Sequence, residues 1–287
     1  MGIFKRKSRV DNNTTKNGVK LITVAKPKSV AAEQFRTVRT NIHFMAVDRR
    51  LKTIAFTSAN ISEGKSTVAA NLAVVWAQEG KSVLLIDADM RRPTLNSTFD
   101  LTGQSGLSTV LSSDQSEVNL NDLIQESGIE GLSLLPSGAV PPNPAELLSS
   151  QRMKVLLEAV KSQYDLVVLD VPPMLEVTDT QTIAGSVDGV VLVVRQGMTQ
   201  KAGVRRVVEL LKMSHAHLLG YVMNDVIPED DAGYGYGYGY GYGYGYGYGG
   251  YSYGYGYRHR EDSDSNANAH GREAAHDADE AESEERE

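Results

Sequence analysis

KTIAFTSANISEGKST occupies residues 52–67. Its first half is β-branched and aromatic without a turn residue, the composition of a buried strand. Its second half ends in Gly-Lys-Ser-Thr, and residues 65–79 carry a helical pattern. A strand, a Gly-Lys-Ser/Thr loop and a helix form the arrangement that cradles nucleotide phosphates. Unpaired N–H groups at the helix start point into the loop, and the helix dipole favours an anion there. Ser62, Glu63 and Gly64 supply the loop. Lys65 is predicted to reach the β- and γ-phosphates of ATP, Ser66 to ligate Mg²⁺, and Thr67 to give the next donor. Ala59 stands where the first glycine of GxxxxGK[ST] belongs. A chance GKST in a loop is the alternative, which the flanking strand and helix oppose.

Further strands supply carboxylates. LLIDADMRRP (84–93) ends a predicted strand with Asp87 and Asp89. In extended chain, residues two apart point the same way. YDLVVLDVPPM (164–174) ends another strand with Asp170, where an Mg²⁺-linked carboxylate belongs. GVVLVV (189–194) and LLGYVMN (218–224) read as strands too. Helices are predicted over 31–46, 200–213, and from Asn143-Pro144 to about Gln163, with a loop-rich region between 88 and 143. Continuous apolar strands alternating with helices predict an α/β fold with a doubly wound, mainly parallel sheet. Ligands bind at the carboxyl edge of such sheets.

This pattern spans about 29–228 of 287 residues, room for one sizeable core plus tails. Residues 1–28 carry eight basic side chains against Asp11 and read as a disordered basic arm able to touch anionic lipid. Residues 258–287 carry four arginines against eleven acids and read as a disordered acidic tail; they account for the whole net charge of −7. There are no cysteines, so thiolate metal sites are excluded. No apolar run approaches the ~20 residues of a membrane span. The basic start lacks the apolar stretch of a signal peptide, and a cytoplasmic product is expected. The folded part lacks the basic–aromatic interleaving of a nucleic-acid binder.

The order of the P-loop, LLIDADMRRP and YDLVVLD–PP, with LPSGAVPPNPAELLSS (135–150) between the last two, resembles the bacterial tyrosine kinases (BY-kinases) of capsular and extracellular polysaccharide synthesis. The resemblance covers roughly residues 29–257. It implies a P-loop fold of the deviant type shared with septum-placing and plasmid-partition ATPases of the MinD and ParA kind. It implies a base role for Asp87, and action of Asp89 and Asp170 on Mg²⁺ and its waters. Glu33, Arg36 and Arg39 match the family's E-x-x-R-x-x-R motif, which the resemblance assigns to subunit contacts in a ring; an ordinary solvated face with a local Glu33–Arg36 pair is the alternative. The family's loops usually read Pro-Gly-Glu-Gly-Lys, whereas this one has Ile61-Ser62-Glu63-Gly64-Lys65. Serine at 62 restricts the loop backbone. The ATPase switches normally carry an extra lysine near the loop's start, and residues 59–62 contain none. A ParA/MinD-like ATPase switch with a low-complexity tail is the second reading.

The last motif is a Gly-Tyr tract, residues 229–257, with twelve of the chain's fourteen tyrosines: Tyr234, Tyr236, Tyr238, Tyr240, Tyr242, Tyr244, Tyr246, Tyr248, Tyr251, Tyr253, Tyr255 and Tyr257. Silk-like pairing is disfavoured by the glycine content. Attached to a nucleotide site, a row of exposed phenols suits a phosphoacceptor. A glycine-rich segment of this length spans ~25–30 Å, enough to leave a domain of ~17 Å radius of gyration and reach a neighbour. Autophosphorylation in trans inside a homo-oligomer is therefore expected. The resemblance further implies a separate transmembrane adaptor of the chain-length-determinant type that holds the kinase at the membrane, and regulation of polysaccharide export. A tyrosine phosphatase would reset the cycle. Asn224, ending the last strand, is placed either against adenine or as the cap of a turn.

Overall fold

The computed structural model describes residues 13–45, 51–102, 104–113, 118–177 and 179–226. The first twelve residues of the basic arm, the Gly-Tyr tract with its twelve tyrosines, and the acidic segment 258–287 lie outside the described residues. Seven strands form one sheet: β1 (Thr53–Ser58), β2 (Val83–Asp87), β3 (Gln125–Glu126), β4 (Leu132–Leu135), β5 (Leu166–Asp170), β6 (Gly189–Arg195) and β7 (Leu218–Asn224). Their order is β3-β4-β2-β5-β1-β6-β7, and every pairing is parallel except β3 with β4. This is the expected doubly wound α/β sheet. The short β3 and β4 fall in the region predicted as loop. LSLL is too short for periodicity to separate it from any other apolar run.

Ten α-helices are described, with one short 3-10 turn at Leu120–Asp122: α1 (Thr14–Asn17), α2 (Ile22–Ala25), α3 (Val30–Met45), α4 (Lys65–Ala77), α5 (Leu95–Phe99), α6 (Leu107–Ser112), α7 (Pro144–Ser149), α8 (Gln151–Gln163), α9 (Asp179–Ala184) and α10 (Lys201–Met213). Alternation along the strands splits the core in two. Ala55, Leu84, Ile86, Val167, Leu169, Val190 and Leu192 face one layer, with Leu148, Leu157, Ile183, Val207 and Leu211 on the helices beneath. Ile54, Phe56, Val83, Leu85, Val168, Val191 and Val193 face the other, against Ile42 of α3 and Leu72 and Trp76 of α4. Helix α4 is apolar on nearly all sides and is buried accordingly.

Two expected boundaries differ. The helix predicted from Pro144 to Gln163 is two, because Ser150 is extended (φ −69°, ψ 158°) and its hydroxyl accepts from the Met153 N–H as the cap of α8. The arm expected to be disordered to residue 28 is folded over its second half. Val19 and Thr23 are buried, the Thr23 N–H and hydroxyl donate to Asn71 Oδ1 at 3.1 and 2.9 Å, and Asn71 Nδ2 donates to the Lys20 carbonyl. The Val19 N–H donates to Thr98 Oγ1, and the Ser97 hydroxyl to the Thr15 carbonyl. Residues 13–25 thus strap α4 to α5. A few well-placed polar bonds to buried partners order a segment whose composition alone reads as solvated. Among the described residues, no helix is long and apolar enough to cross a membrane.

Candidate active site

Strand order creates the site. Strand β5 lies between β1 and β2, with Phe56 and Asp87 both in register with Asp170. The carboxyl ends of β1, β2 and β5 therefore deliver the phosphate loop, Asp87 and Asp170 to one edge. Lys65 opens α4 there, and its Nζ lies 2.8 Å from Asp89 Oδ2 and 3.0 Å from Asp170 Oδ1, all three side chains buried. The Ser66 hydroxyl is 3.3 Å from the same Nζ. Lys65, Ser66, Asp87, Asp89 and Asp170 thus form one cluster.

The carboxylates are held differently. Asp87 accepts the Thr94 and Leu95 N–H groups on Oδ2 at 2.8 and 3.0 Å, and the Asp89 N–H on Oδ1 at 3.2 Å. Burial, helped by Asp170, pushes it up to about 7 against the pull of those N–H groups and Lys65. Burial likewise raises Asp170, against the pull of Lys65 and with Asp89 adding to the rise. For Lys65 burial works downward, but Asp170 and Asp89 outweigh it and hold the ammonium charged. Asp170 Oδ2 is buried without a hydrogen-bond partner. Three buried acids facing one buried ammonium, with one oxygen unpaired, suit a site that takes up a further cation. Among the described residues no three carboxylate or imidazole groups converge as a direct metal shell. Ser66 and the unpaired Asp170 oxygen would hold Mg²⁺, with Asp89 engaged on Lys65 and Asp87 accepting three backbone N–H groups that leave one lone pair of Oδ1 open.

The loop is closed by its own residues. The Glu63 carboxylate, 1% exposed, accepts from the Ala59 N–H at 2.9 Å and from Asn60 Nδ2 at 3.3 Å. Its side chain therefore shapes the loop from inside. Gly64 has φ 92°, and a Cβ there would lie 2.0 Å from Asn224 Nδ2. Asn224 donates to the Glu63 carbonyl at 3.0 Å, so it braces the loop from the end of β7. Thr67 sits one turn before Asn71, whose Nδ2 donates to its carbonyl at 2.9 Å.

The E-x-x-R-x-x-R residues separate. Glu33 and Arg36 form a local ion pair on an exposed face of α3, and Arg36 Nη2 also reaches the Pro27 carbonyl. Arg39 turns inward: its Nη1 donates to the Val75 carbonyl in the last turn of α4 at 2.9 Å, with Glu79 3.8 Å from its Nε. Sequence reasoning missed Asn71 and Arg195. Asn71 is the one polar residue of α4 after its Lys65-Ser66-Thr67 start, and Arg195 is a lone charge at the carboxyl end of an apolar strand, the same signal that marked the aspartates.

Residues 51–221, more than half of the chain, match the family described as "AAA domain". The tyrosine-protein kinase YwqD of Bacillus subtilis is 48% identical over 204 residues, covering 71% of this chain and 85% of that protein. The kinase domain of the Escherichia coli tyrosine kinase ETK superposes with a TM-score of 0.70 at 34% identity, covering 83% of this chain and 89% of that one. The chimerical protein CapA2B2 superposes with a TM-score of 0.67 at 39% identity, covering 72% and 92%.

Proposed function

Because the chain belongs to the bacterial tyrosine-protein kinases, we propose that it transfers the γ-phosphoryl group of ATP to the tyrosines of its own Gly-Tyr tract. The observation that carries this is the buried Lys65 at the start of α4, held between Asp89 and Asp170 at the carboxyl edge of the sheet. Lys65 exchanges its carboxylate partners for the β- and γ-phosphates when nucleotide enters. N–H groups at the start of α4 bind phosphate oxygens. Bound Mg²⁺ supplies charge neutralisation on the phosphates, and Ser66 and Asp170 would hold it. The phenol has a pKa of about 10 and must lose its proton as the new O–P bond forms. Asp87, pushed up to about 7, takes that proton. Asn224, already on the loop, would border the adenine.

The tract acts on a neighbour. Support for assembly comes from α3, which presents Glu33 and Arg36 on its surface and borders an apolar groove of about 570 Å³ that includes Phe35, Met45, Tyr221 and Met223. Phosphorylation in trans in a ring, a separate transmembrane adaptor that recruits the kinase to the cytoplasmic face of the membrane, a resetting phosphatase and control of polysaccharide export complete the reading. Mass spectrometry of the full chain after incubation with ATP and Mg²⁺ tests it. Phosphate is expected on residues 234–257, and label confined to Tyr164 or Tyr221 would remove the tract as substrate.

A further inference from the structure

Ser62 has a φ of 62°, the left-handed region that disfavours any side chain. Such a residue persists where its surroundings over-determine it. Arg195, at the end of β6, does so. Its Nη1 donates to the Ser62 carbonyl at 3.0 Å, while its Nε and Nη2 donate to Asp225 Oδ2 at 3.0 and 2.8 Å. Asp225 follows β7 directly and is itself left-handed, at φ 57°. Next to it, Asn224 holds the Glu63 carbonyl. Two consecutive carbonyls of the loop are therefore pinned from the ends of β6 and β7.

Peptide planarity gives this a consequence. Fixing the Ser62 carbonyl fixes the direction of the Glu63 N–H, and fixing the Glu63 carbonyl fixes that of the Gly64 N–H. These are donors of the phosphate loop. We propose that Arg195 is a positioning residue for the loop, acting through Ser62, and that Asp225 holds its guanidinium in place. The inference rests on the reading of this loop as a nucleotide-phosphate site. The Arg195 and Asp225 side chains are 36% and 59% exposed, so their ion pair adds little to global stability. The work of the pair is local to the loop.

The test is a double-substitution cycle in the full chain, read as the affinity for a fluorescent ADP analogue with Mg²⁺ and as Tm. Arg195→Ala should weaken binding about five- to ten-fold, because the serine then relaxes from its left-handed conformation. Asp225→Ala should act in the same direction and less. Glycine adopts positive φ without a side-chain penalty. In a chain already carrying Ser62→Gly, adding Arg195→Ala should therefore cost less than about two-fold. Tm should move little in all of these. Equal losses with and without Ser62→Gly, or no loss on Arg195→Ala, would overturn the positioning role. If Arg195→Ala lowers Tm sharply, the same cycle with Arg195→Lys, which keeps charge but loses the fork, decides by the same criterion. An unmodified chain that binds no ADP would overturn the nucleotide site itself, and with it the inference.

Discussion

At Lys65 and Asp87 the site holds more buried negative charge than positive. Removing one partner of a buried pair leaves the other uncompensated, which costs about 3–5 kcal/mol. Lys65→Met should therefore abolish nucleotide binding and also lower the Tm of the nucleotide-free protein. Its deficit should be larger at pH 8 than at pH 5, because the orphaned Asp170, raised by burial, takes up a proton as pH falls. Asp87 carries its own sign. Its folded pKa of about 7 lies above its ordinary value of 3.8, so the folded state binds the extra proton between those values. Stability falls as pH rises across that window, and the cost is complete above about pH 7. Asp87→Asn removes this titration. Scanning calorimetry from pH 5 to 8 should show the Tm difference between Asp87→Asn and parent shifting in the variant's favour as pH rises. Parallel curves would mean that Asp87 does not titrate in the window.

At the scale of elements, α4 joins the site, the arm and α3 to the sheet. Its first residue is Lys65, its middle holds the arm through Asn71, and its last turn is held by Arg39. Asn71 satisfies the Thr23 N–H and hydroxyl and the Lys20 and Thr67 carbonyls in a buried setting. Leaving a buried donor or acceptor unsatisfied costs about 1–3 kcal/mol. Asn71→Leu should lower Tm and release the arm, so trypsin should cut at Lys16 and Lys20 faster than in the parent. Unchanged cleavage would show that apolar contacts such as Val19 hold the arm without the asparagine. Arg39→Ala should loosen α3 from α4, whereas Arg36→Ala removes only surface contacts.

For the whole molecule, the proposed assembly should respond to charge. Each phosphotyrosine adds about −1.5 to −2 charges. Twelve would add roughly −18 to −24 to a segment followed by eleven acids, so repulsion should loosen an assembly in which tails enter neighbouring sites. Light scattering at matched concentration should give a smaller mass for phosphorylated protein and for Arg36→Ala than for unphosphorylated parent. Equal masses would separate catalysis from assembly. Replacing all twelve tract tyrosines by phenylalanine should leave nucleotide affinity unchanged while removing phosphotyrosine.

By itself, the sequence determined the α/β class, the five principal parallel strands, the phosphate loop and the aspartates at the strand ends. These follow from short-range rules: strand alternation, helix-start geometry and the grouping of parallel-strand ends at one edge. Tertiary structure alone decided what those residues hold. Placing β5 between β1 and β2 brought Asp170 to Lys65, and folding Thr94 and Leu95 back onto Asp87 occupied its oxygens. The same holds for Thr23 on Asn71, Arg39 on Val75 and Arg195 on Ser62, contacts spanning 48, 36 and 133 residues. A hydrogen bond between residues so far apart in the chain leaves no period or local spacing to read, because its partners meet only after the sheet has set their positions.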